Sequence, residues 1–274
     1  MSSPAFLLQG LQVGDWVVGP PTPRAVGATG GNFSCCYPVT RKDGTRGFLK
    51  ALDFSRALQA PDPVTALRIL TEAYDFERTV LLDCKVRKMD RVVSAIEDGK
   101  VQVNNTAAGV VPYLIFEAAD CDLRTQLSTM GSVDVAWKLR CLHHMATGLR
   151  QLHTAVTAHQ DLKPSNVLVF GGNSSKVADV GCASRKGTVC PRDHMQIAGD
   201  PAYAPPELFY GYYDPEWSTH RLGCDLYLLG SMSVFLFSGL SMTSLLFTHV
   251  SPYHRPQRLV RNLPRRSHLH HRRL

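Results

Sequence analysis

The sequence predicts an α+β protein of two lobes, because a strand-rich first half is followed by a helix-rich second half. Short runs rich in β-branched and aromatic residues predict strands in the first half, as at residues 110–116. In the second half, apolar residues at spacings of three and four predict one long helix: Val135, Leu139, Leu142, Ala146, Leu149 and Leu152. We therefore divide the chain into a β-rich lobe (1–116), a helical lobe (117–250) and a basic tail (251–274).

The first half also contains one helical interruption and one predicted hairpin. Apolar residues recur at helical spacing between Pro63 and Lys88, which predicts an amphipathic helix there. Residues 91–96 and 101–103 are β-prone and flank the polar residues 97–99, so they predict two strands joined by a turn.

Beyond the long helix, the second half contains a loop, two short strands and an apolar stretch. Asp161 lies in the loop, and strands are predicted at 167–170 and 176–178 with a turn at 171–175. Residues 226–247 carry no charge and are numerous enough to span a bilayer. Serine and glycine in this stretch and the preceding Asp225 favour a buried helix, and a membrane span is the rival interpretation.

The net charge of +7 belongs to the tail of this 274-residue chain. Seven of the 30 basic residues lie in 251–274, which has no acidic residue, so 23 basic and 23 acidic residues balance elsewhere. We therefore expect no nucleic-acid partner. The eight cysteines form no Cys-x-x-Cys pair, and residues 1–10 have no secretory pattern, so reduced thiols and a cytoplasmic location are expected.

A cluster of polar residues in the second half is the candidate catalytic site. Asp161, Lys163 and Asn166 supply a carboxylate, a cation and an amide within six residues, and Asp179 adds a carboxylate behind a strand. Phosphoryl transfer needs a carboxylate near the acceptor hydroxyl, a cation on the phosphates and oxygen ligands for Mg²⁺. The cluster matches these needs.

The order His-x-Asp-x-Lys-Pro-x-Asn (159–166), then Asp-x-Gly (179–181), then Pro206-Glu207 resembles the protein-kinase superfamily. Lys163-Pro164 is similar to the serine/threonine branch. The resemblance implies a two-lobed protein-kinase-like fold in which Asp161 accepts or orients the substrate hydroxyl proton. It also implies that Lys163 contacts the transferred phosphate and that Asn166 and Asp179 hold Mg²⁺.

The same resemblance implies a nucleotide site in the first lobe. Lys50 would hold the phosphates of ATP, with Glu77 as its helix partner and Glu72 as the competing choice. Gly31 and Phe33 would belong to the loop over the phosphates, for which a plain hairpin turn is the alternative.

At the far end of this site, the resemblance implies that the chain between the lobes holds the base and the ribose. Backbone groups near Glu117 and Ala119 would bind adenine, and Asp122 would reach the ribose.

Several residues depart from the family pattern. Gln160 replaces the arginine that pairs with a phosphorylated activation loop, so control by that pairing is not expected. Asp200 replaces a threonine and is expected to pair with Lys163. Phe48 replaces a small alanine that faces adenine, and Val180 replaces a phenylalanine.

The resemblance spans about residues 26–247 and ends before the last helices of the family, so we expect a truncated large lobe. Within it, Asp225 would anchor the backbone of the catalytic loop. The first functional hypothesis is a kinase that uses ATP and Mg²⁺ to phosphorylate serine or threonine of a protein substrate. The second is a catalytically impaired nucleotide-binding or interaction module, with a partner that covers the incomplete lobe.

Overall fold

The computed structural model describes residues 3–23, 34–103, 109–129 and 134–256. They form a sheet-rich first part and a helical second part, so the predicted two-lobed α+β fold is confirmed. The strands are β1 (Gln12–Val13), β2 (Trp16–Val18), β3 (Ser34–Arg41), β4 (Arg46–Leu52), β5 (Ala95–Gln102), β6 (Val110–Glu117), β7 (Cys121–Asp122), β8 (Thr157–Ala158), β9 (Val167–Phe170), β10 (Ser174–Val177) and β11 (Ser184–Arg185). The helices are α1 (Ser55–Leu58), α2 (Pro63–Val86), α3 (Leu123–Thr129), α4 (Val135–Thr154), α5 (Pro206–Phe209), α6 (Gly223–Ser238) and α7 (Met242–His249).

The first lobe is built on an antiparallel sheet with strand order β1-β2-β3-β4-β6-β5. Alternate side chains of β4 point into its core, where Leu49 and Ala51 are fully buried, as the twofold period of a strand requires. Lys50, between them, points to the opposite face and toward the second lobe, and it pairs in register with Cys36 and Leu114.

Helix α2 is the predicted interruption of the sheet. It begins where Asp62 accepts a hydrogen bond from the Thr65 amide at 3.1 Å and Pro63 occupies the first turn, both favourable at a helix N-terminus. Its buried face repeats every three or four residues through Tyr74, Glu77, Val80, Leu81 and Cys84. Glu77 therefore lies on the face that is turned to the sheet and the second lobe.

The predicted hairpin at 91–103 is wrong. Residues 97–99 continue strand β5, whose partner is β6, with a register shift between Ala95 and Glu97. The polar residues are accommodated by pairing at the sheet edge: Asp98 binds Arg78, and Glu97 accepts a hydrogen bond from the Trp16 indole at 3.0 Å. Residues 91–93 instead bond to Val177 of the second lobe.

The second lobe packs α4 against α6 and the β9–β10 hairpin. Its core includes the fully buried Met145, Leu162, Val167 and Met232. A three-residue loop (171–173) joins β9 to β10, so β10 begins at Ser174, inside the predicted turn. Gly171 and Gly172 adopt φ angles of 55° and 69°, which glycine tolerates without steric cost.

The apolar stretch 226–247 is two helices rather than one. Helix α6 ends at Ser238 and is followed by the cap residue Gly239, whose φ is 76°; Ser241 caps the start of α7. Across the described ranges, no single helix is long and apolar enough to cross a membrane. Segment 218–238 together with α7 meets the length and composition criteria only as a pair bent by 83°.

Candidate active site

A cavity of about 620 Å³ lies between the two lobes and gathers most of the predicted site residues. Its walls include Lys50, Glu77, Glu117, Ala119, Asp122, Asn166 and Asp179. Asp161 and Lys163 are not among its lining residues, but Asp161 contacts both Lys163 and the lining residue Asn166. Gly31 and Phe33 lie outside the described residues.

Lys50 forms the central ion pair of this cavity. Its Nζ donates to both carboxylate oxygens of Glu77, at 2.8 and 3.0 Å, and lies 3.5 Å from Asp179 Oδ1. Burial opposes the charged ammonium, but the two carboxylates outweigh it and raise the pKa of Lys50. Lys50 is therefore a fixed cation at the junction of strand β4, helix α2 and the second lobe.

The alternative partner, Glu72, lies elsewhere on α2. Its carboxylate pairs with Arg68 at 3.0 Å on the exposed face, one helical turn away. Because Glu72 and Glu77 differ by five residues, they point to different sides of the helix. The structure therefore selects Glu77 as the residue that meets Lys50.

Asp161, Lys163 and Asn166 form a compact hydrogen-bonded group. Asp161 Oδ2 lies 3.1 Å from Lys163 Nζ and accepts a hydrogen bond from Asn166 Nδ2 at 3.0 Å. Burial, at 5% exposure, raises the pKa of the Asp161 carboxyl, and Lys163 offsets part of this effect. Burial opposes the charged form of Lys163, but Asp161 and Asp200 outweigh it and raise the pKa of Lys163.

Asp225 holds the backbone of the catalytic loop that precedes Asp161. This fully buried carboxylate accepts hydrogen bonds from the amides of His159 and Gln160 at 2.7 and 2.8 Å. Gln160 has a φ of 67°, a left-handed conformation that costs energy for a residue with a side chain. The hydrogen bonds to Asp225 stabilise this conformation. Asp225 therefore contacts the catalytic-loop backbone, as the resemblance implied.

Asp179 and Asn166 provide oxygen atoms toward the cavity. The Lys50 ammonium holds the pKa of Asp179 below its usual range, although burial works in the opposite direction. The described hydrogen bonds of the Asn166 side chain use Nδ2, both to Asp161, which leaves Oδ1 as the oxygen for a cation. Two such oxygens suit Mg²⁺, which proteins usually hold through one or two side chains together with phosphates and water. Across the described ranges, this site included, no group of three or more His, Cys, Asp or Glu residues is arranged to hold a metal.

The chain between the lobes lies at the other end of the cavity. Glu117 does not point its carboxylate at a ligand: it binds Lys176 Nζ at 2.6 Å and accepts a bond from the Ser94 amide. Within the described residues, the backbone of Ala119 forms no hydrogen bond and remains accessible to a ligand. Asp122 caps helix α3 by accepting a bond from the Thr125 amide at 2.8 Å while it lines the cavity.

Two departures from the family pattern change the site itself. The Phe48 side chain, 37% exposed, lines the cavity beside Phe116, its register partner on the neighbouring strand β6. Asp200 Oδ2 lies 3.6 Å from Lys163 Nζ, and the Asp200 amide donates to Asp161 Oδ1 at 2.7 Å. The preceding Gly199 makes this approach feasible, because a Cβ atom there would lie 2.3 Å from the Gln160 carbonyl oxygen.

One pair beside the site was not identified from the sequence. Arg221 and Asp193 form an ion pair at 3.2 Å, and Arg221 also donates to the Gln160 side chain. Arg221 precedes Asp225 by four residues, which places both on one side of a helix. That spacing could have indicated from the sequence that Arg221 lies near the catalytic loop. No sequence pattern indicated a role for Asp193, because its partner Arg221 is distant in sequence.

Comparison with known proteins agrees with this geometry. The family model described as the protein kinase domain matches residues 29–253. "Serine/threonine-protein kinase fused" of Drosophila melanogaster is 27% identical over 207 residues, 72% of this chain and 22% of the relative. "Cyclin-dependent kinase G1" of Arabidopsis thaliana is 29% identical over 177 residues, 64% of this chain and 26% of the relative.

A third relative, "Cell division control protein 2 homolog 3" of Trypanosoma brucei brucei, is 33% identical over 115 residues, 41% of this chain and 37% of the relative. The chain thus spans between about a fifth and two fifths of the length of these relatives. The family match extends from before β3 to beyond α7 and therefore includes both lobes and the cavity between them. This chain belongs to the protein kinase family.

Proposed function

We propose that this chain is a serine/threonine-protein kinase that transfers the terminal phosphate of ATP to a hydroxyl group of a protein. The observation that carries this proposal is the ion pair of Lys50 and Glu77 beside Asp179, in a cavity whose wall connects through Asn166 to Asp161 and Lys163. A cation, metal-binding oxygens and a carboxylate base are thereby present together. Phosphoryl transfer depends mainly on such positioning and charge neutralisation.

Each residue has a role that follows from its placement. Lys50, held by Glu77, binds the phosphates at the inner end of the cavity. Asn166 Oδ1 and Asp179 are the groups that would hold Mg²⁺, which neutralises phosphate charge when it is bound. Ala119 offers its free backbone groups to the base at the opposite end.

Asp161 is the proposed base for the acceptor hydroxyl. Its raised pKa makes the carboxylate a better proton acceptor than an exposed aspartate. Asn166 and the Asp200 amide fix both carboxylate oxygens, so the group needs little rearrangement. Lys163 then lies next to the position where the phosphate would be transferred.

The choice of serine or threonine rests on the Lys163-Pro164 pattern and on the relatives. The Drosophila relative is named a serine/threonine-protein kinase, and that name supports the same acceptor class here. We propose serine or threonine of a protein as the acceptor class, because catalytic residues are shared across the family whereas substrate specificity is not.

A second candidate is a nucleotide-binding or interaction module without transfer activity. Two observations favour it: the large Phe48 side chain lines the cavity, and Asp200 pairs with Lys163, where it would compete with a phosphate. Both features weaken nucleotide binding or its use without removing any proposed catalytic residue. The two candidates therefore differ in turnover rather than in fold.

The experiment that separates them measures binding and transfer on the same samples. Thermal unfolding with and without magnesium ATP reports binding, since a ligand that binds the native state raises its stability. Transfer of labelled phosphate to a generic protein reports activity, with Asp161→Asn as the test variant and the exposed Asp15→Asn as its control.

We expect wild type and Asp15→Asn to bind and transfer, and Asp161→Asn to bind without transfer. Binding without transfer in all three proteins would favour the interaction module. A folded wild type that neither binds nor transfers would contradict both candidates.

A further inference from the structure

The arginine beside the catalytic loop connects two segments that the proposed chemistry needs in place. Arg221 is 8% exposed and belongs to the π-helical turn Ser218–Leu222 that leads into α6. Its guanidinium contacts Gln160 on one side and Asp193 on the other. A buried guanidinium needs such partners, because an unpaired charge out of water is costly.

On the first side, Arg221 meets the residue that immediately precedes Asp161. Arg221 Nη1 donates to Gln160 Oε1 at 3.3 Å, and Gln160 Nε2 donates back to the Arg221 carbonyl at 2.7 Å. Gln160 is the residue with the left-handed backbone. Together with the Asp225 bonds, this reciprocal pair fixes both the backbone and the side chain of Gln160.

On the second side, Asp193 organises the segment that follows Asp179. Its Oδ1 accepts hydrogen bonds from the Ser184 hydroxyl at 2.9 Å and from Arg221 Nη2 at 3.2 Å. Its Oδ2 accepts one from the Cys190 amide at 3.0 Å. One carboxylate therefore closes the loop 184–193 on itself and attaches it to Arg221.

No phosphate is needed for this arrangement. Between Ser184 and Asp200 the hydroxyl side chains are Ser184 and Thr188. Ser184 is 2% exposed, donates to Asp193 and accepts a bond from the Trp217 indole, so it is inaccessible to a modifying enzyme. Thr188 is exposed, and the guanidinium of Arg221 is already paired with Asp193.

We propose that Arg221 and Asp193 are positioning residues that hold the catalytic loop and the 184–200 segment in their working arrangement without phosphorylation. Charge-assisted hydrogen bonds from a planar guanidinium suit this role, because they fix orientation as well as distance. The expected effect of these two residues on phosphate transfer rests on the proposed kinase function. Their expected effect on the order of the 184–200 segment is independent of that function.

The test compares Arg221→Met, Arg221→Lys and the isosteric Asp193→Asn with two controls, the exposed Arg150→Met and Thr188→Ala. Amide hydrogen exchange over 184–200 is expected to be about tenfold faster in Arg221→Met and Asp193→Asn, since local opening then costs less. Arg221→Lys is expected to recover part of the protection, and both controls to match wild type.

Kinetics supply the second readout. For Arg221→Met and Asp193→Asn we expect kcat to fall by about tenfold while KM for magnesium ATP changes by less than about twofold, because the nucleotide residues are untouched. Treatment of wild type with a phosphatase is expected to leave kcat unchanged. A general loss of fold would instead change both constants.

Wild-type exchange and kcat in both Arg221→Met and Asp193→Asn would overturn the proposal. So would a loss of kcat in Thr188→Ala or after phosphatase treatment. If Arg221→Met fails to fold, Asp193→Asn decides, since it removes one charge without changing size. If wild type transfers no phosphate, the proposed function fails, and hydrogen exchange alone decides this inference.

Discussion

Lys50 Nζ lies 2.8 Å from Glu77 Oε1 and 3.0 Å from Oε2, so one ammonium group binds both oxygens of a buried carboxylate. The two residues come from β4 and α2, and the pair fixes the position of the helix relative to the sheet. Asp179 Oδ1 lies 3.5 Å from the same Lys50 Nζ, so the second lobe also contacts this ammonium group. The pair therefore contributes to both the stability and the arrangement of the cavity.

Replacement of Lys50 by methionine is expected to lower the free energy of unfolding by about 1–3 kcal/mol, because the Glu77 carboxylate is left buried without its partner. Denaturant unfolding measures this difference. The matched control is Arg68→Met, which breaks the exposed Arg68–Glu72 pair and is expected to cost less than about 0.5 kcal/mol. Equal costs in the two variants would contradict the central position given to Lys50.

Replacement of Phe48 by alanine is expected to tighten the binding of magnesium ATP several-fold, because removal of a large ring from the cavity lining leaves more room for the nucleotide. Isothermal titration calorimetry measures the dissociation constant directly. Phe237→Ala, at an exposed phenylalanine of α6, is the control and should bind as wild type does. Weaker binding in Phe48→Ala would show that the ring supports the nucleotide rather than excludes it.

Replacement of Asp200 by asparagine is expected to raise kcat/KM for ATP, because Lys163 is released from one of its two carboxylates. The bonds from the Asp200 amide to Asp161 and from the Ala202 amide to the side chain are retained. Asp214→Asn serves as the control, since Asp214 makes the same type of bond to the amide two residues later. A fall in kcat/KM specific to Asp200→Asn would assign Asp200 a supporting role.

The pH dependence of transfer should report the carboxyl of Asp161. Its pKa is raised by burial, and the protonated form cannot accept the substrate proton, so activity is lost as pH falls through the raised value. The acid limb of kcat/KM should therefore lie above about pH 4, the usual range of an aspartate. Measurement of ATP binding across the same pH range distinguishes titration of Asp161 from titration of the nucleotide. An acid limb at or below pH 4 would argue against Asp161 as the base.

Residues that lie close together in the sequence were the ones that sequence reasoning placed well. The relation of Asp161, Lys163 and Asn166 follows from six consecutive positions, and the α2 pattern pointed to Glu77 over Glu72 through helical spacing. The N-terminal signals of α2, Asp62 and Pro63, are equally local. Local spacing predicts such features because helix and loop geometry fixes the distances between nearby side chains.

Features that depend on distant partners were missed. Residues 97–99 looked like a turn, but Asp98 is paired with Arg78 twenty residues earlier, and Gly99 packs against the Tyr113 ring. The break at Gly239 was hidden by a uniformly apolar composition, because composition does not report a φ of 76°. The contact of Arg221 with Asp193 also exists only once the chain has folded.

The role of Asp161 is tested most directly by a single-turnover measurement of phosphate transfer from labelled magnesium ATP by wild type and by Asp161→Asn at equal nucleotide occupancy. We expect measurable transfer by wild type and a rate about 10²- to 10⁴-fold lower in the variant, the usual contribution of a positioned base. Equal rates in the two proteins, or nucleotide binding by a wild type that transfers nothing, would contradict this role.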